Sequence, residues 1–254
     1  LVEKPMAMSE EECAELEALA AERGLLLYVM HNFQHAHRMR RLNEIIESGR
    51  YGPVVNITEV QFTNHDRRLP EWYNDLPLGL FFDEAAHFMY LLERHAGGLR
   101  IDEVHATRDR DPREATPVTL TVNATAGEIP VTMMLNFHSP VCEWLYIVSF
   151  RKRILVYDFF KDILIDLPTD NEHLAGDILR NSLGYTWQYW FQFFVNGLKL
   201  VAGRLYYGHD VVLGDFVSAI RGAGQPDPTL SGSAGRANVR AISDIVRLAE
   251  AGSR

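Results

Sequence analysis

The hydrophobic and polar positions at the start of the chain describe a short α/β unit. Ser9 and Glu12 form a capping box, which opens a predicted amphipathic helix that ends at Gly24. The continuous apolar run LLLYVM at 25–30 is typical of a strand buried on both faces of a parallel sheet. Residues 1–2 have the pattern of a preceding strand's end, so this region predicts the last βαβ unit of a larger sheet.

The periodicity then changes twice along the chain. A strand-rich middle with short connections predicts a mainly antiparallel open sheet, and helical segments lie on either side of it. We predict helices at 37–46, 81–96, 172–205, 209–222 and 236–251, and strands at 54–63, 101–109, 117–125, 130–138, 142–150, 153–157 and 161–165. The predicted fold class is therefore α/β followed by α+β, with helices covering the sheet.

One predicted strand, VCEWLYIVSF, carries apolar side chains on both faces. Trp144 and Tyr146 lie on one face, and Leu145 and Ile147 lie on the other. Helices can cover only one of these faces, and exposed apolar area costs about 25 cal/mol per Å². We therefore predict a homo-oligomer, a dimer or a tetramer, that forms through the open face of the sheet.

Charge and composition restrict the possible partners. The 254 residues carry a formal net charge of −9, and the only basic cluster is RMRR at 38–41, which argues against nucleic acid and anionic membranes as partners. The aromatic stretch at 184–203 is interrupted by polar residues, so we interpret it as a buried or subunit-contacting helix rather than a membrane span. A small neutral or polar molecule is the expected ligand.

Cysteine usage points to a reducing compartment. Cys13 and Cys142 are far apart and fit no zinc or redox spacing, and no secretory leader begins the chain. We expect a cytoplasmic protein.

Three residues are candidates for proton transfer. Asp83 and His87 are four residues apart on a predicted helix, where a carboxylate can orient an imidazole that titrates near neutral pH. An incidental helical pair is the alternative interpretation. Lys4 follows a predicted parallel strand, and the carboxyl edge of such a sheet is where ligands bind, although a lysine in a loop is also commonly solvated.

The segment HNFQHAH at 31–37 leaves the second predicted strand at the same edge. His31 and Asn32 are expected to line the crevice there with hydrogen-bonding groups. A metal site built from His31 and His35 with Asp83, Glu84 and His87 is the alternative, but the chain lacks an HExxH motif, so we predict no metal.

The ordered set of EKP at 3–5, VMHNFQH, SGRYGPV, GLFFDEAAH and the terminal AGRANVRAISDIVRLAEAG resembles the Gfo/Idh/MocA oxidoreductases. The resemblance implies hydride transfer between NAD or NADP and a sugar, inositol or related polyol. It also implies that 1–33 is the carboxyl-terminal remnant of a Rossmann domain whose earlier part is missing, and that 34–254 is an α+β substrate-binding and oligomerisation domain.

The resemblance assigns roles to individual residues. The implied catalytic group is Lys4, Asp83 and His87, with His87 as the general acid/base. We expect Glu3, Lys4 and Pro5, together with the crevice-lining His31 and Asn32, to bind the cofactor. We expect Lys4, Asp83 and His87 to bind the substrate, with Trp72 and Tyr73 as candidate pocket residues for which a core or interface position is the alternative.

Two other functions stay open at this point. A catalytically inactive sugar-binding sensor or scaffold would keep the fold without turnover. Metal-dependent hydrolysis would use the histidines and would require bound zinc or iron. His138 and Tyr185 are further candidates for lining a ligand pocket.

Overall fold

The computed structural model describes residues 1–67, 69–111 and 113–252. Its strands are β1 (Val54–Asn64), β2 (Leu99–Thr107), β3 (Thr119–Ala126), β4 (Ile129–Ser139), β5 (Glu143–Phe150), β6 (Arg153–Asp158) and β7 (Ile163–Pro168). Its α-helices are α1 (Glu10–Glu22), α2 (His37–Glu47), α3 (Leu80–Glu84), α4 (Ala86–Ala96), α5 (Ala175–Val201), α6 (His209–Ile220) and α7 (Gly232–Ala251).

The seven strands form one sheet with β1 at its centre. The strand order is β2-β3-β4-β1-β5-β6-β7, and β1 pairs in parallel with β4 while every other pairing is antiparallel. The parallel pair arises because the chain leaves β1, passes through α3, α4 and the β2–β3 hairpin, and returns to β1 as β4. The predicted open, mainly antiparallel sheet is confirmed.

Helices α2, α4 and α7 cover one face of the sheet. The core lies between them and the strands and contains fully buried side chains such as Ile57, Val122 and Tyr146. The opposite face is more open: alternate residues of β5 are half-buried there, and Met134 of β4 is 52% exposed. Strands β3, β4 and β5 bury alternate side chains against the helices, as the predicted period requires. Strand β1 differs, because its buried side carries Glu59, Gln61 and Thr63 next to Ile57.

The beginning of the chain forms a small α/β unit against this body. Val2 pairs in parallel with Val29, and Ser9 caps α1 by accepting a hydrogen bond from the backbone N–H of Glu12. The short buried strand predicted over 25–30 is only partly formed, because the bridges in this run are at Tyr28 and Val29 and Leu25 is 66% exposed. Helix α1 packs on α7, which joins this unit to the sheet.

Two helices differ from their predicted bounds. The single helix predicted at 81–96 is two helices, because Ala85 forms a turn between α3 and α4 in which the N–H of Phe88 bonds to the carbonyl of Ala85 at 3.0 Å. Helix α7 begins four residues before the predicted start because Ser231 caps it, with its hydroxyl accepting from the N–H of Ala234.

Helix α5 lies along the edge strand β7 and extends outside the core. Of the two interpretations of this helix, burial in the chain's own core is wrong, since only Gln192 and Asn196 are buried within it, and contact with another subunit stays a prediction. Within the described ranges, no helix is both long and apolar enough to span a bilayer.

Candidate active site

Two backbone segments carry polar side chains to the same edge of the amino-terminal unit. The N–H of Val2 donates to the carbonyl of Tyr28 at 2.9 Å, and the N–H of Met30 donates to the carbonyl of Val2 at 2.9 Å. Lys4 and His31 therefore follow the ends of two parallel segments. The placement of both residues at one carboxyl edge, predicted from the sequence, is confirmed.

Lys4 is held by Asp83, which α3 presents from the sheet domain. The Nζ of Lys4 lies 2.8 Å from Oδ1 of Asp83 and 3.2 Å from its backbone carbonyl oxygen. Both side chains are largely shielded, with exposed fractions of 14% and 23%. The hydroxyl of Tyr73 donates to the other carboxylate oxygen, Oδ2, at 3.3 Å. Burial and the charge of Asp83 raise the pKa of Tyr73 to about 12, so this hydroxyl keeps its proton.

His87 is buried at the start of α4 and has a different partner from the one predicted. Its Nδ1 lies 2.9 Å from the hydroxyl of Tyr90, whereas Asp83 bonds to Lys4 and Tyr73. The predicted orientation of the imidazole by the Asp83 carboxylate is therefore wrong, because the tight turn at Ala85 separates the two helices.

The surroundings of His87 keep its imidazole neutral. Burial holds the pKa of His87 well below its usual value, and the nearby charges of Lys4 and His31 act in the same direction. The ring of Phe33 packs edge-on against the imidazole with centroids 4.8 Å apart. A neutral imidazole can accept a proton at one nitrogen while its other nitrogen is fixed by a hydrogen bond.

The hydroxyl of Tyr90 can fix the tautomer of His87. Its oxygen accepts from the backbone N–H of Phe33 at 3.0 Å, and its second lone pair can accept from Nδ1–H of His87 at 2.9 Å. In that tautomer Nε2 of the neutral imidazole carries a free lone pair. Nε2 can then take the proton of a hydroxyl group, and the resulting imidazolium returns that proton in the reverse reaction.

His31 and Asn32, both expected to line the crevice, are buried and bonded to the protein. Nδ1 of His31 lies 3.2 Å from the carbonyl oxygen of Thr229, and the side-chain amide of Asn32 donates to the carbonyl of Tyr207 at 3.0 Å. Burial lowers the pKa of His31 to about 4. Nε2 of His31 is buried without a hydrogen-bond partner among the described residues. Of the polar side-chain atoms of His31 and Asn32, this nitrogen is the one that could bond to a ligand.

A cavity of about 220 Å³ lies at the ends of β1 and β4, and it reaches Asp83 through Tyr73 rather than being lined by Lys4, Asp83 or His87. Tyr73 and His138 line it, whereas Trp72 stacks on Tyr73 with ring centroids 4.1 Å apart and is 51% exposed. Tyr185 lies on α5 at the edge of the sheet and is 44% exposed.

The cavity wall contains an ion pair that the sequence interpretation missed. Arg67 bonds to the buried carboxylate of Glu84, which also accepts hydrogen bonds from Gln61 and from Thr63 at 3.3 Å. Burial raises the pKa of Glu84, although the charge of Arg67 opposes that effect. The alternating positions of Gln61 and Thr63 on β1 were the only sequence signal, because they place two polar residues on the core face of a strand.

The histidines considered for metal binding have protein partners instead. His35 lies 3.7 Å from the carboxylate of Asp227, and His31 stacks on Tyr90 with centroids 4.5 Å apart. In the part of the chain that the structure describes, no cluster of three or more histidine, cysteine, aspartate or glutamate side chains is arranged to hold a metal ion.

Comparison with known proteins defines the class of fold. No protein-family model matches the chain. The WlbA dehydrogenase from Bordetella pertussis, solved in complex with NADH and UDP-GlcNAcA, has a TM-score of 0.68 and 17% identity, and the match covers 99% of this chain and 70% of that one. The UDP-N-acetylglucosamine 3-dehydrogenase GnnA from Acidithiobacillus ferrooxidans has a TM-score of 0.69 and 15% identity over 98% of this chain and 70% of that one. The fold is that of NAD-dependent sugar dehydrogenases, as the sequence resemblance predicted.

A curated relative is similar at the level of sequence. The 1-carboxy-3-chloro-3,4-dihydroxycyclohexa-1,5-diene dehydrogenase of Comamonas testosteroni is 37% identical over 105 residues, which are 40% of this chain and 26% of that protein. The match thus spans about a quarter of the relative, and it is again to a dehydrogenase.

Proposed function

We propose that this chain forms the substrate side of an NAD(P)-dependent dehydrogenase that interconverts a hydroxyl and a carbonyl of a sugar, an inositol or a related polyol. The observation that carries the proposal is the convergence of Lys4, Asp83 and His87 at one sheet edge, with a neutral, oriented imidazole beside an ion-paired ammonium group. Similarity in fold to sugar dehydrogenases supports the same reaction class.

Each of the three residues has a distinct role in this proposal. His87 holds or removes the proton of the substrate oxygen through Nε2, because Nδ1 is bonded to Tyr90. Lys4 donates a hydrogen bond to that oxygen, and Asp83 positions the ammonium group through its carboxylate and its backbone carbonyl. Tyr73 holds the second oxygen of Asp83, and Trp72, stacked on Tyr73, lies where it can cover the substrate.

The edge that carries Lys4 fits a dinucleotide. Glu3, Lys4, Pro5, His31 and Asn32 are the proposed cofactor contacts, and the unpartnered buried Nε2 of His31 is the polar atom that supports this fit. A bound NAD or NADP supplies the hydride acceptor at its nicotinamide ring. The neighbouring WlbA structure contains NADH, which supports a nicotinamide cofactor here.

We also propose that the chain contains parts of two domains with different functions. Residues 1–33 belong to the dinucleotide-binding domain, and 34–254 form the domain that binds substrate and mediates oligomerisation. The parallel bridge between Val2 and Val29 supports the first assignment, and the sheet with its adjoining cavity supports the second. The free thiols of Cys13 and Cys142 are consistent with a cytoplasmic location.

The open face of the sheet is a proposed subunit contact. Met134 is exposed at its centre, with the half-buried Leu145 and Ile147 on the same open face. Replacing Met134 with arginine should lower the mass of the assembly in light scattering, because a charge would have to be buried at the contact. An unchanged mass would contradict this part of the proposal.

The reaction class is tested on the protein at its natural length. NADH and NADPH are titrated separately by nucleotide fluorescence, and sugars, inositols and related polyols are then screened in a separate assay for reduction of NAD⁺ or NADP⁺. Binding of one dinucleotide together with turnover of a polyol is the expected result. If a polyol binds but neither dinucleotide does, the protein is a sugar-binding scaffold on this fold. Activity that instead requires zinc or iron would indicate hydrolysis.

A further inference from the structure

Helix α5 turns its polar side chains towards the protein. Gln192 accepts from the N–H of Leu164 at 3.0 Å and donates to its carbonyl at 2.8 Å. Gln188 makes the same pair of bonds to Asp166 at 2.9 and 3.0 Å. Two amide side chains thus complete the hydrogen bonding of the edge strand β7 as a further strand would.

The opposite side of α5 is strongly apolar and faces outward. We use the name apolar ridge for Leu183, Trp187, Trp190, Phe194, Leu198 and Val201, which are spaced by three or four residues and so share one helix face. Within this ridge Trp187 is 71%, Phe194 67% and Val201 89% exposed. A surface helix that contacts only its own domain normally turns its apolar side towards the core, which is the opposite of what α5 does.

The ridge is large enough for a stable interface. An aromatic side chain carries about 150–250 Å² of surface, so the three exposed rings alone present roughly 400 Å². With the three aliphatic residues the ridge approaches the roughly 800 Å² that each partner contributes to a stable protein interface. Continuous apolar patches of this size on soluble proteins mark contact sites.

We propose that the apolar ridge of α5 packs against the same ridge of a second copy of this chain, with the two helices antiparallel. The spacing of the ridge residues matches the seam of paired helices, and a two-fold axis lets one ridge bury itself against its own copy. Antiparallel packing opposes the two helix dipoles, whereas parallel packing would align them.

The polar face of α5 argues for a protein partner over a lipid surface. Helices that bind membranes in the interfacial plane expose lysine and arginine on their polar side. The polar side of α5 is instead formed by Gln188, Gln192 and Asn196, and the last two are buried against β7 and the preceding turn. The helix is therefore fixed to its own sheet and turns the ridge away from it.

The mass of the assembly tests the proposal without any dinucleotide, so its outcome is independent of the dehydrogenase function. The double variant Trp187→Glu with Phe194→Glu should have half the wild-type mass in sedimentation velocity, with an unchanged circular dichroism spectrum because both side chains are exposed. Ser182→Glu adds one of these two negative charges at an exposed position of α5 outside the ridge and should keep the wild-type mass. A double variant of wild-type mass would overturn the proposal, as would a monomeric wild type.

The direction of packing is tested by cross-linking. In a background in which the partly exposed Cys142 is serine, Trp190→Cys lies near the expected two-fold axis and should form a disulfide between copies under oxidising conditions. Leu183→Cys lies towards one end and should stay reduced. Efficient cross-linking at Leu183 would show parallel helices and contradict the antiparallel arrangement.

Discussion

Helices α4 and α5 have similar apolar and aromatic compositions but opposite relations to the core. In α4, eight of the eleven residues are buried, and its polar side chains bond to one another and to the sheet inside the protein. His87 bonds to Tyr90, while His95 bonds to Tyr146 at 2.8 Å and to Asn43 at 2.7 Å. In α5, only Gln192 and Asn196 are buried among twenty-seven residues.

The difference between the two helices lies in where their polar side chains are and whether those side chains can titrate. The imidazoles of α4 are desolvated, so burial lowers the pKa of His95 to about 3 and also holds the pKa of His87 below its usual value. Strongly shifted pKa values of this kind are typical of functional sites. The amides of α5 cannot titrate, and they fix the helix to an edge strand and leave its apolar face outward. In our proposals α4 carries part of a reaction site and α5 carries a contact surface.

The largest expected effect comes from removing the imidazole of α4. His87→Ala should lower kcat by about 10²–10⁴-fold in the protein at its natural length, because general acid/base catalysis is lost. Dinucleotide fluorescence should show unchanged cofactor affinity. Ser182→Ala on α5 serves as the control and should retain wild-type turnover. Near wild-type turnover in His87→Ala would remove His87 from the mechanism.

A smaller effect is expected from Tyr90→Phe, which leaves the ring of Tyr90 but removes the hydroxyl that fixes His87. A hydrogen bond of about 1.4 kcal/mol corresponds to a tenfold change in rate, so kcat should fall about tenfold. The hydroxyl oxygen accepts from Nδ1–H more strongly when the imidazole is charged, so its loss should lower the pKa of His87 further and move the acid limb of the pH–rate profile downward. A lower kcat with an unshifted profile would indicate a packing role only.

On α5, the corresponding test is Gln192→Ala. The backbone N–H and carbonyl of Leu164 lose their only described side-chain partner, and unsatisfied buried polar groups cost about 1–3 kcal/mol. We expect the free energy of unfolding in urea to fall by about 2 kcal/mol. The exposed Ser182→Ala variant should change it by less than about 0.5 kcal/mol. Equal stability of the two variants would show that α5 does not protect β7.

The smallest expected effect lies in the core below α4. Glu59 on β1 is buried with neither carboxylate oxygen bonded to a described residue, and burial raises its pKa well above the usual value. As pH rises, Glu59 loses its proton in the unfolded chain before it does so in the folded protein. The free energy of unfolding is therefore highest, as far as Glu59 is concerned, below about pH 4.5, and it falls as pH rises above that value. Glu59→Gln should therefore raise the free energy of unfolding by about 1 kcal/mol near pH 8 and give no gain near pH 5.

The matched control is Glu128→Gln, in the exposed turn between β3 and β4. It should show the same stability as the wild type at both pH values. A gain in Glu59→Gln that is independent of pH would mean that Glu59 is ionised in the folded protein.

The sequence predicted the sheet and the edge position of Lys4 because these depend on local period and on chain order. It did not predict the hydrogen bond between Tyr90 and His87, since an aromatic residue on an apolar helix face has the same sequence pattern whether it only packs or also forms a hydrogen bond. The turn at Ala85 was missed because alanine favours a continuous helix. The sequence did not predict which face of α5 points outward. Helical periodicity separates a polar from an apolar face, but it is the unpaired edge of β7 that draws the polar face inward.

The most direct test of the central claim follows the hydrogen itself. The protein at its natural length is given a polyol identified in the screen and deuterated at the carbinol carbon, and the reduced dinucleotide is analysed by mass spectrometry. The account predicts one deuterium on the nicotinamide ring with wild type and none above background with His87→Ala, although both proteins bind the dinucleotide. Turnover of the polyol without deuterium in the dinucleotide would contradict hydride transfer at this site.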